Sequence, residues 1–231
     1  MNKPILSPSI LSEADHLRVS QAVTAAESGT TGEIVTVVTD RSDGYSDVAL
    51  AWAALVALLE LAALAIAPDF HLAFYERLAG GWVHGWSARE LFTLSTMLAA
   101  GAFIGMMLLQ AIPALRFALI PGPIKTDRVH RQALRAFRVG AEQRTVARTG
   151  VLIYLSMREH RAEVLADAAI ASQVDVEVWA EALEALLAHV RTGDVAGGMC
   201  AAVARVGEVL TAHLPGSAEN PNEVPDRLIE L

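Results

Sequence analysis

The sequence predicts an α/β domain that is interrupted by a transmembrane α-helical hairpin. Two long apolar stretches predict the hairpin, and segments rich in β-branched residues on either side predict a small mixed sheet with flanking helices. Residues 48–67 contain one charged side chain, Glu60, and residues 91–112 contain none. Each stretch has about 20 residues, the length that a helix needs to cross the hydrocarbon core of a bilayer.

The alternative for these stretches is a pair of helices buried inside a large soluble protein. The chain has only 231 residues, of which 53% are hydrophobic and 19% are charged. The segments that flank the apolar stretches are too short to cover two such helices on every side. We therefore expect a membrane protein, and the polar N-terminal residues predict no cleaved secretion signal.

The distribution of basic residues indicates how the hairpin is oriented. The connector, residues 68–90, carries only Arg77 and Arg89 against three acids. By the positive-inside rule we expect both termini in the cytoplasm and the protein in the inner membrane. The basic residues that follow the second stretch are Arg116, Lys125, Arg128, Arg131, Arg135, Arg138, Arg144 and Arg148, against Asp127 and Glu142.

Charge and cysteine content limit which molecules the protein is expected to bind and which cysteine-based sites it can form. The basic segment is interpreted as a contact for anionic lipid head groups, with a plain solvated helix face as the alternative. Residues 159–231 carry thirteen acids against four arginines, and the whole chain has a net charge of −8, so no nucleic-acid partner is expected. Cys200 is the sole cysteine, which excludes an intrachain disulfide and a multi-cysteine metal site.

The soluble parts alternate helical and strand patterns. Before the first span we predict a helix over residues 11–28, with Ser12 and Asp15 as a capping box, and a strand over residues 33–39. After the second span we predict a helix over residues 127–143, strands over 149–156 and 161–166, helices over 176–191 and 194–214, and a tail over 214–231 whose last four residues could dock.

A lone strand has nothing to pair with, so the first soluble part cannot fold by itself. Pairing its strand with the one at residues 149–156 gives each of the two strands a neighbour in one sheet. We therefore predict one split domain from residues 11–41 and 128–213, with the hairpin of residues 48–112 inserted between them.

Three residues are predicted to contribute to packing in the membrane. Gly101 and Gly105 form a small-xxx-small pair that lets another helix approach closely, with the first span as the expected partner and homodimerisation as the alternative. Glu60 is costly inside a bilayer and by default indicates a polar partner or pathway. That partner is a hydroxyl of the second span (Thr93, Ser95 or Thr96), unless Glu60 lies protonated near one interface.

Several short motifs, in their order and spacing, resemble the TPM domain family. Gly-Glu-Ile at residues 32–34 opens the first strand, Gly-Val-Leu at 150–152 opens the second, and a charged turn with an arginine-containing strand spans 159–164. The segment at residues 220–226 resembles the end of the bacterial branch that carries two membrane helices. The resemblance implies a TPM-like α/β sandwich over residues 11–41 and 128–213.

The resemblance also implies several activities, because family members have been assigned acid phosphatase activity, metal binding (often calcium), or roles in assembling and repairing membrane complexes. This sequence departs from the family pattern at three positions. Thr149 replaces an asparagine, Asp167 replaces the first residue of a glycine-rich stretch, and Ala171 replaces its closing glutamate.

A phosphatase site would need metal ligands and positive charge for the phosphoryl oxygens. Asp40, after the first strand, and Asp167, after the third, could meet at one edge of the sheet and bind a divalent cation such as calcium, beside phosphate clamps from Arg41, Arg144 or Arg148. The alternative is that Asp40 caps a loop and Asp167 caps the next helix.

Two functional hypotheses follow. The first is a membrane-anchored module that helps assemble or maintain other membrane proteins at the cytoplasmic face, with the lipid bilayer, other membrane proteins and a second copy of the chain as candidate partners. The second is a membrane-bound, metal-dependent phosphatase. The departures around Asp167 favour the first.

Overall fold

The computed structural model describes residues 9–78, 85–142, 149–216 and 224–231. The chain forms two compact units. The first unit combines both ends of the chain, Met1–Asp43 and Gly122–Leu231, and contains a mixed sheet with helices. The second unit, Gly44–Pro121, is helical in its described part.

The sheet of the first unit has four strands in the order β3-β2-β1-β4. Strand β1 (Glu33–Thr39) lies parallel to β2 (Gly150–Ser156) over the full length of both, and all seven residues of each strand are buried. Strand β3 (Arg161–Ala166) returns antiparallel to β2, and the short β4 (Ile229–Glu230) pairs parallel to β1 at the other edge.

Three helices build the main hydrophobic core with the sheet. They are α1 (Glu13–Glu27), α8 (Val176–Val190) and α9 (Val195–His213). The close approach of α1 to α9 requires a glycine, because a Cβ at Gly207 would lie 2.7 Å from the Cβ of Ala26. The core residues that are almost fully buried include Val19, Ile34, Val38, Val151, Ile153, Leu186, Met199, Val203, Val206 and Leu210.

The opposite side of the sheet has a smaller core. Helix α6 (Gly122–Phe137) continues into a π-helical turn at Arg138–Glu142 and lies mainly on β2 and β3. Its apolar stripe packs on the alternate side chains of the two central strands, as the two-residue period of a strand requires. The members of this core are Val35, Val37, Val129, Ala133, Phe137, Leu152, Tyr154 and Val224.

The second unit consists of four helices in its described part. Helix α2 (Ser46–Ile66) packs against α4 (Ala88–Leu109). The shorter α3 (Pro68–Leu78) follows α2 in the sequence, and α5 (Pro113–Leu119) follows α4. Several side chains form hydrogen bonds to backbone carbonyls inside the unit. The Gln110 amide donates to the Ala49 carbonyl at 3.0 Å, and the Trp52 indole donates to that of Leu119 at 2.9 Å.

Three helices of the described chain are long and apolar enough to cross a membrane: α2, α4 and α9. They differ in how much of their apolar surface is covered. Of the most apolar 18 residues in each helix, the structure buries 56% in α9, only 11% in α2 and none in α4. Large apolar side chains such as Leu58 (63% exposed) and Phe92 (75% exposed) therefore point away from the protein.

Most predicted elements of the first unit are confirmed within one or two residues. The Ser12–Asp15 capping box is present, and β1 and β3 have their predicted bounds. The helix predicted over residues 127–143 starts five residues earlier, at Gly122, and becomes a π-turn at Arg138. Helices α3, α5 and α7 (Ala168–Ala171) were not predicted.

The C-terminal segment is held at the amino end of β1 by a cluster of carboxylates. Glu33 accepts a hydrogen bond from the Val224 amide at 3.3 Å, and Asp226 accepts one from the Thr24 hydroxyl at 2.6 Å. Glu27 accepts one from the Ile34 amide at 2.6 Å. Burial, then the neighbouring charges of Glu33 and Asp226 and a hydrogen bond to Asp226, raise the pKa of Glu27 to about 8, so Glu27 is the protonated member at neutral pH.

This pKa predicts a pH dependence of stability. The folded protein retains the Glu27 proton above pH 4.5 while the unfolded chain releases it, so this group lowers stability as pH rises from about 4.5 to about 8. In Glu27→Gln, the side-chain amide still accepts a hydrogen bond from the Ile34 amide and donates one to Asp226, but it has no proton to release as the pH rises. We expect the substitution to raise the melting temperature at pH 8 by about 2–4 °C, and much less at pH 5.

The measurement is thermal unfolding of the purified protein in detergent from pH 5 to pH 9. Glu13→Gln, at an exposed position of the same helix, is the matched control and should leave the profile unchanged. Equal pH profiles for the wild type and Glu27→Gln would contradict the prediction.

Candidate functional site

Asp40 lies at the carboxyl end of β1, where it ties two loops together. Its carboxylate accepts hydrogen bonds at 2.9 and 3.0 Å from Nε of Arg158, in the turn between β2 and β3, and its carbonyl accepts one from the Arg158 amide. Both side chains are about half exposed. Asp40 therefore holds two loops together in this structure. This role is close to loop capping, the predicted alternative to metal binding.

Asp167 lies at the amino end of β2 and is 5% exposed. It occupies the N-cap position of α7, but its side chain does not cap that helix. Instead, its carboxylate accepts the Gly150 amide hydrogen at 3.0 Å, while its own amide donates to the Gly150 carbonyl at 3.0 Å. The buried carboxylate thus closes the open end of the β2–β3 hairpin.

The expectation that Asp40 and Asp167 meet at one edge of the sheet is wrong. Because β1 and β2 are parallel and β3 runs back, Asp40 follows the carboxyl ends of the parallel pair and Asp167 lies beside their amino ends. Seven residues of strand separate the two edges by roughly 20 Å. No single ion can touch both carboxylates.

Among the described residues, no metal centre forms around either aspartate. Arg41 is exposed beyond the end of β1, and Arg144 and Arg148 lie outside the described residues. Within the described ranges, no three His, Cys, Asp or Glu side chains form a group that could hold a metal ion.

A buried polar cluster at the carboxyl end of β1 and β2 escaped the sequence analysis. The Ser42 hydroxyl lies 3.0 Å from both the Tyr154 hydroxyl and Oγ of Ser156, and the Ser42 amide donates to Glu159 at 3.1 Å. Ser156 also donates to Glu159. Burial raises the pKa of Tyr154, so its hydroxyl stays neutral. The cluster fixes the loop that follows β1 against the sheet.

An arginine-lined cavity lies beside this loop. It has a volume of about 280 Å³, and its walls come from the loop after β1 and from α6. Arg128 contacts Asp43 at 2.7 Å, and Arg131 pairs with Asp127 one turn away on the same helix. Because arginine binds oxyanions well, this cavity is the best candidate anion site in the described chain. Its described lining residues are Ser42, Asp43, Arg128, Arg131, Gln132 and Arg135.

The predicted packing residues of the hairpin are placed differently from expectation. A Cβ added at Gly101 or Gly105 would meet nothing within 4 Å, so this glycine pair does not serve the contact between α2 and α4. Glu60 is half-buried and makes no hydrogen bond within the described residues, because Ser95 and Thr96 donate instead to carbonyls of their own helix. The expected bond from Glu60 to the second span is absent from this part of the chain.

Comparisons with known proteins support the fold and leave the family open. No family model matches the chain, and no curated protein matches it. A solved structure is similar over nearly its whole length: the NMR structure of BA42 protein from the psychrophilic bacterium Bizionia argentinensis has a TM-score of 0.55 at 13% identity, covering 96% of this chain and 97% of that chain. At this identity the similarity concerns the fold alone.

Substituting the two aspartates separates structural from metal-binding roles. Asp167→Ala leaves the buried Gly150 amide without its acceptor, so we expect a loss of about 1–3 kcal/mol in the free energy of unfolding. Asp40→Ala removes an exposed ion pair and should cost about 0–1 kcal/mol. Thermal or denaturant unfolding, with and without added calcium, magnesium or manganese, measures both. A metal-dependent stabilisation that either substitution abolishes would contradict the structural assignment.

Proposed function

We propose that this protein is a membrane-anchored α/β module that helps assemble or maintain other membrane proteins. The observation that carries the proposal is the uncovered apolar surface of α2 and α4. None of the most apolar 18 residues of α4 is buried, and side chains such as Met97 and Leu108 are each 68% exposed. A surface of this kind is unstable in water and stable in lipid.

The proposed topology has two spans, α2 and α4, in the inner membrane, with both termini in the cytoplasm. The third long apolar helix, α9, is assigned to the α/β unit because residues such as Met199, Val203 and Val206 already lie in its core. The arginines of α6, just beyond the second proposed span, favour a cytoplasmic position for that unit.

An assembly role is supported by the surface that the hairpin leaves open. A Cβ at Gly101 or Gly105 of α4 would contact nothing within 4 Å in the described part of the chain. Glycines that face lipid lose packing contacts, whereas glycines that face another helix allow close backbone approach. We therefore assign this face to a helix of a partner membrane protein or of a second copy.

The resemblance to TPM domains fits this proposal, since some members of that family serve in the assembly and repair of membrane complexes. The order of helix, strand, hairpin, helix and two strands along this chain agrees with the motif order on which the resemblance depends. Family membership remains part of the proposal.

The topology predicts which cysteines react from outside the cell. In a Cys200→Ser background, Arg89→Cys should react with a membrane-impermeant maleimide in intact spheroplasts, because residue 89 lies in the first turn of α4, at the end proposed to face outward. Ser28→Cys, exposed at the end of α1, should react only after permeabilisation. The Cys200→Ser protein without a new cysteine is the control. The reverse labelling pattern would overturn the proposed orientation.

The assembly role predicts that bulk on the glycine face disrupts partner contacts. Gly101→Leu with Gly105→Leu should reduce in-membrane cross-linking to neighbouring proteins or to a second copy several-fold, while melting temperature and membrane content stay unchanged. Ala100→Leu, an exposed position on a different face of α4, is the matched control. If cross-linking survives the leucines, the glycine face is not the contact surface.

The alternative function is a membrane-bound, metal-dependent phosphatase. The arginine-lined cavity favours it, since guanidinium groups suit phosphoryl oxygens. A divalent cation such as calcium would then have to bind there or nearby. Metal-dependent hydrolysis of a generic phosphomonoester, lost in Arg131→Gln, would establish this alternative.

A further inference from the structure

Helix α6 alone does not cover the whole of its side of the sheet. A helix with its side chains is about 10–12 Å wide, and neighbouring strands lie about 4.8 Å apart, so one helix covers little more than two of the four strands. Helix α6 lies over β2 and β3. The π-helical turn and Val224 extend the cover over β1, and beside them, at Val37 and Ile229, the structure has a cavity of about 290 Å³.

This second cavity is apolar with a cationic border. Its floor comes from Val37 and Ile229 of the sheet, and one wall comes from Ala136 at the end of α6 and Val139 in the π-helical turn. Its volume lies near the lower limit of small-molecule pockets, about 300 Å³, and cannot hold an amphipathic helix, which is about 10 Å wide.

Two guanidinium groups, those of Arg135 and Arg227, also line the apolar cavity. Neither group forms a hydrogen bond or ion pair with any other residue in the described ranges, whereas Arg128 and Arg131 on the same helix bind Asp43 and Asp127. A cation beside an apolar cavity favours a ligand that brings its own negative charge.

The apolar cavity and the arginine-lined cavity are neighbours. Gln132 and Arg135 line both of them, so the two spaces meet along one turn of α6. One space suits an aliphatic chain and the other suits an oxyanion. A ligand that uses both is an amphiphile with a single chain and one acidic head group.

We propose that this pair of cavities binds a medium-chain aliphatic anion, with its carboxylate or phosphate head on Arg135 and its chain over Val37 and Ile229. At about 30 Å³ for each water-sized group, the apolar cavity accommodates a chain of roughly ten carbons. An inorganic anion would leave the apolar cavity empty, and a neutral alcohol would leave Arg135 without an acceptor. The site is independent of the proposed assembly role.

The test uses the full chain in phosphatidylcholine nanodiscs and radiolabelled decanoate in equilibrium dialysis, with empty nanodiscs to correct for partition into the bilayer. We expect saturable binding at one site per chain, with decanol and inorganic phosphate failing to compete. Arg135→Gln should weaken binding by about tenfold, as expected for loss of one charge-assisted hydrogen bond. Arg205→Gln, on the exposed face of α9, should have no effect.

Filling the cavity tests the position of the chain while both arginines remain. Ala136→Phe should abolish decanoate binding, and Val139→Trp, at a position that is 64% exposed and so tolerant of bulk, should do the same if Ala136→Phe impairs folding. Binding that persists in the folded Val139→Trp protein, or decanol that binds as well as decanoate, would overturn the proposal.

Nanodiscs with phosphatidylglycerol distinguish two sources of the head group. Loss of decanoate binding there means that the head group and part of one chain of an anionic phospholipid occupy the site, and unchanged binding means that the ligand arrives from water. Both results support the same acidic-head chemistry, since both require that Arg135→Gln weakens decanoate binding in phosphatidylcholine.

Discussion

The parallel pairing of β1 with β2 is the interaction on which the rest of this structure depends. Glu33 lies opposite Gly150 and Thr39 opposite Ser156, so the ladder joins segments that are 117 positions apart in the sequence. All fourteen residues of the two strands are buried. The first unit has no continuous segment that contains its core, and the helical unit is inserted between the two central strands.

This ladder also determines where polar chemistry can occur. At the carboxyl ends of β1 and β2, the loop after β1 is fixed by Ser42 and Glu159 and leaves a cationic cavity beside α6. At the amino ends, carboxylates fasten the C-terminal segment and close the β2–β3 hairpin. The arginines that could receive an anionic ligand therefore lie beside the carboxyl end of the parallel pair.

The sequence was most informative where burial and local hydrogen bonding act on the same segment. Strand β1 reads as an unbroken run of β-branched residues because both its faces are covered, and Ser12 with Asp15 caps a helix through purely local contacts. The apolar length of α2 and α4 needs no tertiary information at all. For these segments the hydrophobic period, the residue composition and the capping residues all predict the same secondary structure.

The candidate site was harder to predict because it depends on strand direction and on tertiary pairing. A tight turn after β2 implies an antiparallel β3, which places Asp167 at the edge opposite Asp40, and that step was missed. Strand β4 has two residues and carries no periodic signal. Arg135 was recognised only as one member of a basic segment, because the sequence does not reveal which arginines of α6 already have carboxylate partners.

The insertion of the helical unit between β1 and β2 has a consequence for synthesis. When β1 leaves the ribosome its partner has not been translated, and at about 5–20 residues per second β2 follows roughly 6–25 s later. During that interval an apolar strand with two open edges must avoid pairing with other chains. The helical unit is complete before β2 emerges, so it can reach its final environment while the α/β unit is still unfinished. The order of translation thus completes the helical unit first and the sheet last.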